Sequence, residues 1–216
     1  MITVAELFDL SHSLAGPYLQ SCVYPWQALD GIGEEILRIG ATLPEEEYDT
    51  PMADVWISKS ACVHPLATIT GPAIIGAGTQ VRAGALLRGC VLVGEGAVVG
   101  NATELKNAIL FDRVQLPHYN YAGDSILGYA SHFGAGAIAS NVRLDKAPVV
   151  LRYLGKSAET GRKKVGAMVG DRAEVGCHAV LNPGCILGRE SRVFPLSCVC
   201  GGIAQGGVWP PKRQTE

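Results

Sequence analysis

Stepping forward by six residues from Ile57 meets Val63, Ile69, Ile75, Val81, Leu87, Val93, Val99 and Leu105, and every one of these positions is aliphatic. In a chain that is 48% hydrophobic, such a run in one phase arises by chance about once in several hundred trials, so the pattern is a repeat. A second register holds Val169, Val175, Leu181, Leu187, Val193 and Val199; between the two, Leu127, Phe133 and Ala139 carry the beat with the phase slipped. A period of six fits neither a helix nor a simple strand. It fits a short flat strand followed by a tight corner, three to a coil of roughly eighteen residues, with the aliphatic side chain pointing into a triangular prism. Small residues and glycine recur between the beats, as in IGAGTQ, VGEGAV and FGAGAI, where a corner needs them. The predicted fold class is all-β, a left-handed parallel β-helix of hexapeptide repeats.

Three segments stand outside this repeat. Residues 1–50 read as a small helical cap followed by an acidic linker. VAELFD and WQALDGIGEEILRIG have helical spacing, with Leu29, Ile32, Ile36 and Ile39 on one face, and LPEEEYDTP follows. Gly31 and Gly33 weaken the second helix. Residues 51–200 are the β-helix, interrupted at 142–167 by VRLDKAPVVLRYLGKSAETGRKKVGA, a basic stretch without the period that must loop out of the prism. Residues 201–216 read as an irregular tail.

The 18 basic and 20 acidic residues leave a formal net charge of −2, which argues against the clustered basic face that nucleic acid requires. No apolar run approaches the roughly 20 residues of a membrane span, and the N-terminus lacks the layout of a signal peptide, so a cytoplasmic protein is expected. The seven cysteines cannot all pair internally and are read as small buried apolar residues of a reducing compartment.

Chemistry concentrates in ELKNAILFDRVQLPHYNYAGD, residues 104–124. His118 follows a proline in a turn-rich segment. It reads either as a structural histidine or as a general base, because imidazole titrates near neutral pH. The longer run VGNATELKNAILFDRVQLPHYNYAGDSILGYASHFGAGAIASN resembles the acetyltransferase domain of the bifunctional glucosamine-1-phosphate acetyltransferase / N-acetylglucosamine-1-phosphate uridyltransferase family, without a gap from Arg88 through Asn141. The later TGRKKVGAMVGD and GCHAVLNPGCILG are similar to the archaeal-type sugar-1-phosphate nucleotidyltransferase/acetyltransferase proteins.

The resemblance implies an N-acetyltransferase that uses acetyl-CoA as co-substrate and acts on an amino-sugar 1-phosphate by direct attack. It implies His118 as general base and Glu104 as the carboxylate that favours the imidazolium. Arg88 and Lys106 match groups that hold the sugar phosphate, and Tyr121 and Asn141 match sugar-contacting residues. The backbone amide of Ala135 matches the donor to the thioester carbonyl. His132 stands where the family has an asparagine, Cys177 where it has a serine lining the cofactor cleft, and Pro195 where it has an alanine. The family's loop lysine has no aligned match; Lys146, one position away, or Arg143 takes its place. A homotrimer is implied, with clefts between neighbouring prisms. Nothing in the sequence resembles the glycine-rich loop of the nucleotidyltransferase half, so uridyl transfer is not expected, and a separate nucleotidyltransferase is a possible partner. The alternative reading is a non-catalytic sugar-phosphate or sugar-nucleotide binding protein, towards which His132 and Cys177 lean. No metal site is expected: a zinc site of the kind known in this fold needs histidines four residues apart, and His64, His118, His132 and His178 supply no such pair.

Overall fold

The computed structural model describes residues 1–210, and from Val55 onward the chain winds into the three-sided parallel β-helix that the six-residue beat predicts. One side is an eight-stranded sheet running from Cys62–Val63 to Val208–Trp209. The other two sides merge into one sheet, because Glu104–Leu110 and Tyr121–Leu127 each run through a corner and serve both. The beat residues stack in register: Ile57, Ile75, Val93 and Leu110 on one side, Val63, Val81, Val99 and Leu116 on the next, and Ile69, Leu87, Leu105 and Ala122 on the third. From Ile75 onward these are buried, while Ile57, Val63 and Ile69, in the first coil, are only half-buried.

The slipped phase has a local cause. Leu105 to Leu110 and Ala122 to Leu127 are steps of five rather than six, so one corner loses a residue in two successive coils. Asn107 and Asp124 turn these shortened corners with φ of 50° and 48°. Their short polar side chains tolerate the left-handed region better than other non-glycine residues.

One of the three sides is apolar outside as well as inside. Its strands Ala73–Ile75, Val91–Val93, Ala108–Leu110, Ala167–Val169 and Cys185–Leu187 are buried at every position. The outward residues Ile74, Leu92, Ile109, Ile126, Met168 and Ile186 stand one above another and are at most 1% exposed. A sheet apolar on both faces needs a cover, and two segments supply it. The first is the N-terminal region, with short helices at Val4–Leu7, Gly16–Gln20 and Ile32–Gly40 and 3₁₀ turns at Leu10–His12 and Pro25–Asp30. It lies along this side instead of capping an end. Phe8 packs on Phe111 with ring centroids 5.1 Å apart, Asp9 N donates to Asp171 Oδ2 (2.7 Å), and Gly40 sits so close to Trp56 that a Cβ would clash with its ring.

The second cover is the insert. Instead of a purely basic loop, it forms an antiparallel hairpin, Val150–Tyr153 with Lys156–Glu159. Val149 and Leu151 are fully buried, and a Cβ at Gly184 would press on Val149 and touch Leu151. Two other expectations need correction. The acidic linker ends in a strand, Tyr48–Met52, paired antiparallel with Val55–Ser58. The tail is not irregular as far as it is described: Gly202–Ile203 and Val208–Trp209 continue the coils, and residues 211–216 lie outside the described residues.

Candidate functional site

The two sides left uncovered meet at a corner, and most of the sequence-predicted residues gather around it. Tyr119 N donates to Asn101 O (2.8 Å), Gly136 N to His118 O (3.0 Å), His178 N to Ala135 O (2.8 Å) and Leu196 N to Cys177 O (2.9 Å). This ladder stacks Asn101, His118, Ala135, Cys177 and Pro195 at the same point of successive coils. His118 is exposed. Its strand end is fixed from inside by buried Asn120, whose Oδ1 accepts from His118 N (3.1 Å) while its Nδ2 donates to Gly134 O (2.8 Å). The Ala135 N–H donates to no group among the described residues.

Past the corner, the strands Leu86–Arg88, Glu104–Leu110 and Tyr121–Leu127 present a polar cluster. Glu104 stands in register with Tyr121. Its carboxylate pairs with Arg88 Nη1 at 3.0 Å, so the partner seen for Glu104 is Arg88 rather than His118. Both side chains are substantially exposed, and pairs of this kind contribute only about 0–1 kcal/mol. An incoming phosphate could therefore compete for Arg88. Lys106 is placed differently: its Nζ lies 3.1 Å from Oδ1 of Asp124, which is 2% exposed. Asp124 also accepts from Asn107 Nδ2 (2.9 Å) and Asn141 Nδ2 (2.5 Å). Asn107 Nδ2 reaches the carbonyl of Leu29 as well (3.1 Å), tying the N-terminal layer to the cluster. Burial pushes the Tyr121 phenol pKa up; the carboxylates of Glu104 and Asp124 push the same way, while Arg88 and a hydrogen bond with Asn141 oppose them.

On the other side of the corner, His132 Nδ1 is 2.9 Å from Glu174 Oε2, and His132, Glu174 and Arg192 follow one another up successive coils. Between this row and the column of Cys177 and Pro195 lies a groove of about 660 Å³. Gly134 and Gly176 floor it; a Cβ at either would strike the backbone of the next coil, at Cys177 and Pro195 respectively. Such a slot, floored by backbone and walled by Cys177, Phe194, Pro195 and Val208, suits an extended, mostly apolar chain. His132 thus lies beside the predicted cofactor residues and not among the sugar-contacting ones.

Lys146 is exposed and makes no ion pair among the described residues. Arg143 pairs with Asp145 (Nη2–Oδ2 2.5 Å), holding that carboxyl down to about 2. Neither basic residue is brought to Arg88 or Lys106 by any contact. The cysteines also depart from expectation: Cys185 alone is buried, its thiol pushed up to about 12 by desolvation, whereas Cys62, Cys177, Cys198 and Cys200 are exposed. Among the described residues, no group of three or more His, Cys, Asp or Glu could hold a metal ion.

Sequence reasoning missed Asn107, Asn120 and Asp124, all within the stretch already singled out. The available signal was the slip itself, since two short polar residues fall at the two five-residue steps.

No family model matches the chain. Over 109 residues, half of its length, it is 36% identical to the bifunctional protein GlmU of Methanococcus maripaludis, of which this covers 26%. Over 120 residues (56% of the chain) it is 30% identical to the bifunctional sugar-1-phosphate nucleotidylyltransferase/acetyltransferase of Sulfurisphaera tokodaii, covering 30% of that protein. The chain therefore spans about a quarter to a third of the length of these curated relatives, and the resemblance read from its residues is to that family. Among solved structures it is similar to PerB of Caulobacter crescentus, in complex with CoA and GDP-perosamine, with 20% identity, 71% of this chain and 52% of that chain covered, and a TM-score of 0.37. A Bacillus cereus protein assigned as an acetyltransferase gives 17% identity, coverage of 68% and 73%, and a TM-score of 0.38. Among the described residues no helix is long and apolar enough to cross a membrane.

Proposed function

We propose that the protein is an acetyl-CoA-dependent N-acetyltransferase acting on an amino-sugar 1-phosphate, with His118 as general base. The observation that carries this reading is the column at the bare corner. His118 and the unpartnered Ala135 N–H are neighbours in adjacent coils, with a backbone-floored groove continuing from Ala135 past Cys177 and Pro195. A thioester whose pantetheine arm lies in that groove brings its carbonyl to Ala135 N–H, which stabilises the oxyanion as it forms. The sugar amine attacks the carbonyl carbon, His118 takes the amine's proton, and the CoA thiolate leaves. Attack is direct, with no acyl-enzyme. Arg88, whose pairing with Glu104 is weak enough to exchange, takes the sugar phosphate. Tyr121 and Asn141 meet the sugar ring, and Glu104 adds negative potential near the imidazolium. The chain works as a homotrimer in a reducing cytoplasm, in which a neighbouring prism closes the cleft.

The test is thiol release from acetyl-CoA with glucosamine-1-phosphate or galactosamine-1-phosphate as acceptor. Sugar-dependent release should fall by about 10²–10⁴-fold in His118→Ala, the span usual for loss of a general base. Its thermal unfolding should be unchanged, because the ring is exposed. Absence of release from wild type that still binds sugar phosphate in calorimetry would favour a non-catalytic binding protein. Exposed Cys177, standing where the family has a serine, is the observation on that side.

A further inference from the structure

The buried carboxylate of Asp124 has no part in the reaction proposed above, yet more site residues converge on it than on any other group in the cluster. It lies in a shortened corner, 2% exposed, and its oxygens receive Lys106 Nζ (3.1 Å), Asn107 Nδ2 (2.9 Å) and Asn141 Nδ2 (2.5 Å). An ionised carboxylate only accepts hydrogen bonds, so Asn141, itself 8% exposed, must turn its NH₂ towards Asp124 and its carbonyl away. The same NH₂ lies beside the Tyr121 hydroxyl. Both crowd the space above Gly123 that a Cβ would fill, and Asn141 draws the Tyr121 phenol pKa down, as an amide donor facing its oxygen does. With one N–H directed to Asp124 and the other to Tyr121, the amide saturates its donors. The phenol then accepts from Asn141, and its own proton is free to point outward.

We infer that Asp124 is a positioning residue which, through Asn141 and Tyr121, presents one acceptor and one donor side by side to a single hydroxyl of the acceptor sugar. A hydroxyl is the group that answers both, since it donates once and accepts through its lone pairs. The inference rests on the acetyltransferase reading for the identity of the sugar. The geometry also divides the two cations of the cluster: Arg88 can exchange its partner, whereas Lys106 is paired with a buried carboxylate and serves to hold Asp124 in place. Replacing Asp124 by asparagine puts a donor where only acceptors stood. Either Asn141 or the Lys106–Asn107 pair then faces a donor, and the Asn141 amide loses its fixed orientation.

The experiment uses the full chain and two readouts, calorimetric binding of glucosamine-1-phosphate and steady-state thiol release, for wild type, D124N and the exchange variant D124N/N141D. D124N should weaken sugar-phosphate binding and raise its KM by about tenfold or more, the usual scale for a lost charge-assisted hydrogen bond, with the KM for acetyl-CoA within about twofold of wild type. The exchange variant restores a donor–acceptor pair across the same gap and should recover part of the lost affinity. If D124N does not accumulate as folded protein, Tyr121→Phe, which removes the outward donor and the acceptor facing Asn141, should raise the same KM. An unchanged sugar KM in D124N or in Tyr121→Phe, or an equal rise in both KM values without recovery in the exchange variant, overturns the inference. Wild type that binds the sugar phosphate without releasing thiol sinks acetyl transfer but leaves Asp124 tested by its effect on binding. Wild type that does neither removes both.

Discussion

Two sides of the same prism, built on the same repeat, have opposite fates. On the side carrying Ile74, Leu92, Ile109, Ile126, Met168 and Ile186, the outward residue of every coil is apolar, and the chain spends its N-terminal region and its hairpin covering the row. On the side carrying Arg88, Glu104, Lys106 and Tyr121 the outward row mixes these polar residues with Leu86, Ile138 and Val180, and each of these seven stays at least partly exposed. The inward residues of both sides are alike. Folding is thus specified by every second residue of each strand, and the remaining positions decide whether a side becomes interior or working surface.

Charging the covered side should have the largest effect. Ile126→Asp places a carboxylate between sheet and N-terminal layer without a partner, and should cost more than about 4 kcal/mol, enough to abolish a cooperative urea transition. Gln115→Asp, outward on a bare side, should stay within about 0.5 kcal/mol of wild type. Phe8→Ala, which removes the ring packed on Phe111, should destabilise by about 3–5 kcal/mol. Sugar-dependent thiol release per folded molecule should survive it if the layer is chiefly a cover, and fall if the layer also steadies the Asp124 corner through Asn107. A smaller effect concerns pH. Burial raises the carboxyl of Asp171 above its ordinary 3.8, so the fold favours its neutral form. That contribution is full below the ordinary value and is lost as pH rises through the higher, folded one. Urea midpoints of wild type should accordingly fall on going upward through this window relative to Asp171→Asn, and parallel curves would refute it. Glu104→Gln on the bare side should likewise change stability by no more than about 1 kcal/mol, because its pair with Arg88 is exposed. Its effect should appear in the sugar-phosphate KM instead.

What the sequence revealed follows the same division. The period of six located the inward residues from Ile57 to Leu105 and from Val169 to Val199 because burial inside a prism leaves no alternative to an aliphatic residue. The column of His118, Ala135, Cys177 and Pro195 was legible only by resemblance; nothing local says that residues 118 and 135 will be neighbours until the coil length is known to shrink to seventeen. The cover was missed although its signal was present. Triplets such as AII, VLV, AIL, AMV and CIL are apolar on alternate faces, which a half-exposed strand would not be. Asp124 was passed over because an aspartate beside glycine reads as a turn. It is indeed in a turn, with the rest of its role set by the coils above and below. Lys146 was chosen for its proximity in sequence to an expected lysine, and no contact among the described residues brings it to Arg88 or Lys106.

The N-terminal segment runs against the direction of the stack. Ala5 O accepts from Arg189 Nη2 (3.1 Å) and Leu7 O from Asp171 N (3.3 Å), late in the coil series, while Gly40 rests on Trp56 in the first coil. Stacked repeats that touch only their neighbours open progressively from the ends. Here a single strut fastens an early coil to a late one, so loosening either terminus strains contacts far along the axis. Hydrogen exchange should therefore show the first and last coils on the covered side opening together with the middle, as one unit rather than as a zipper.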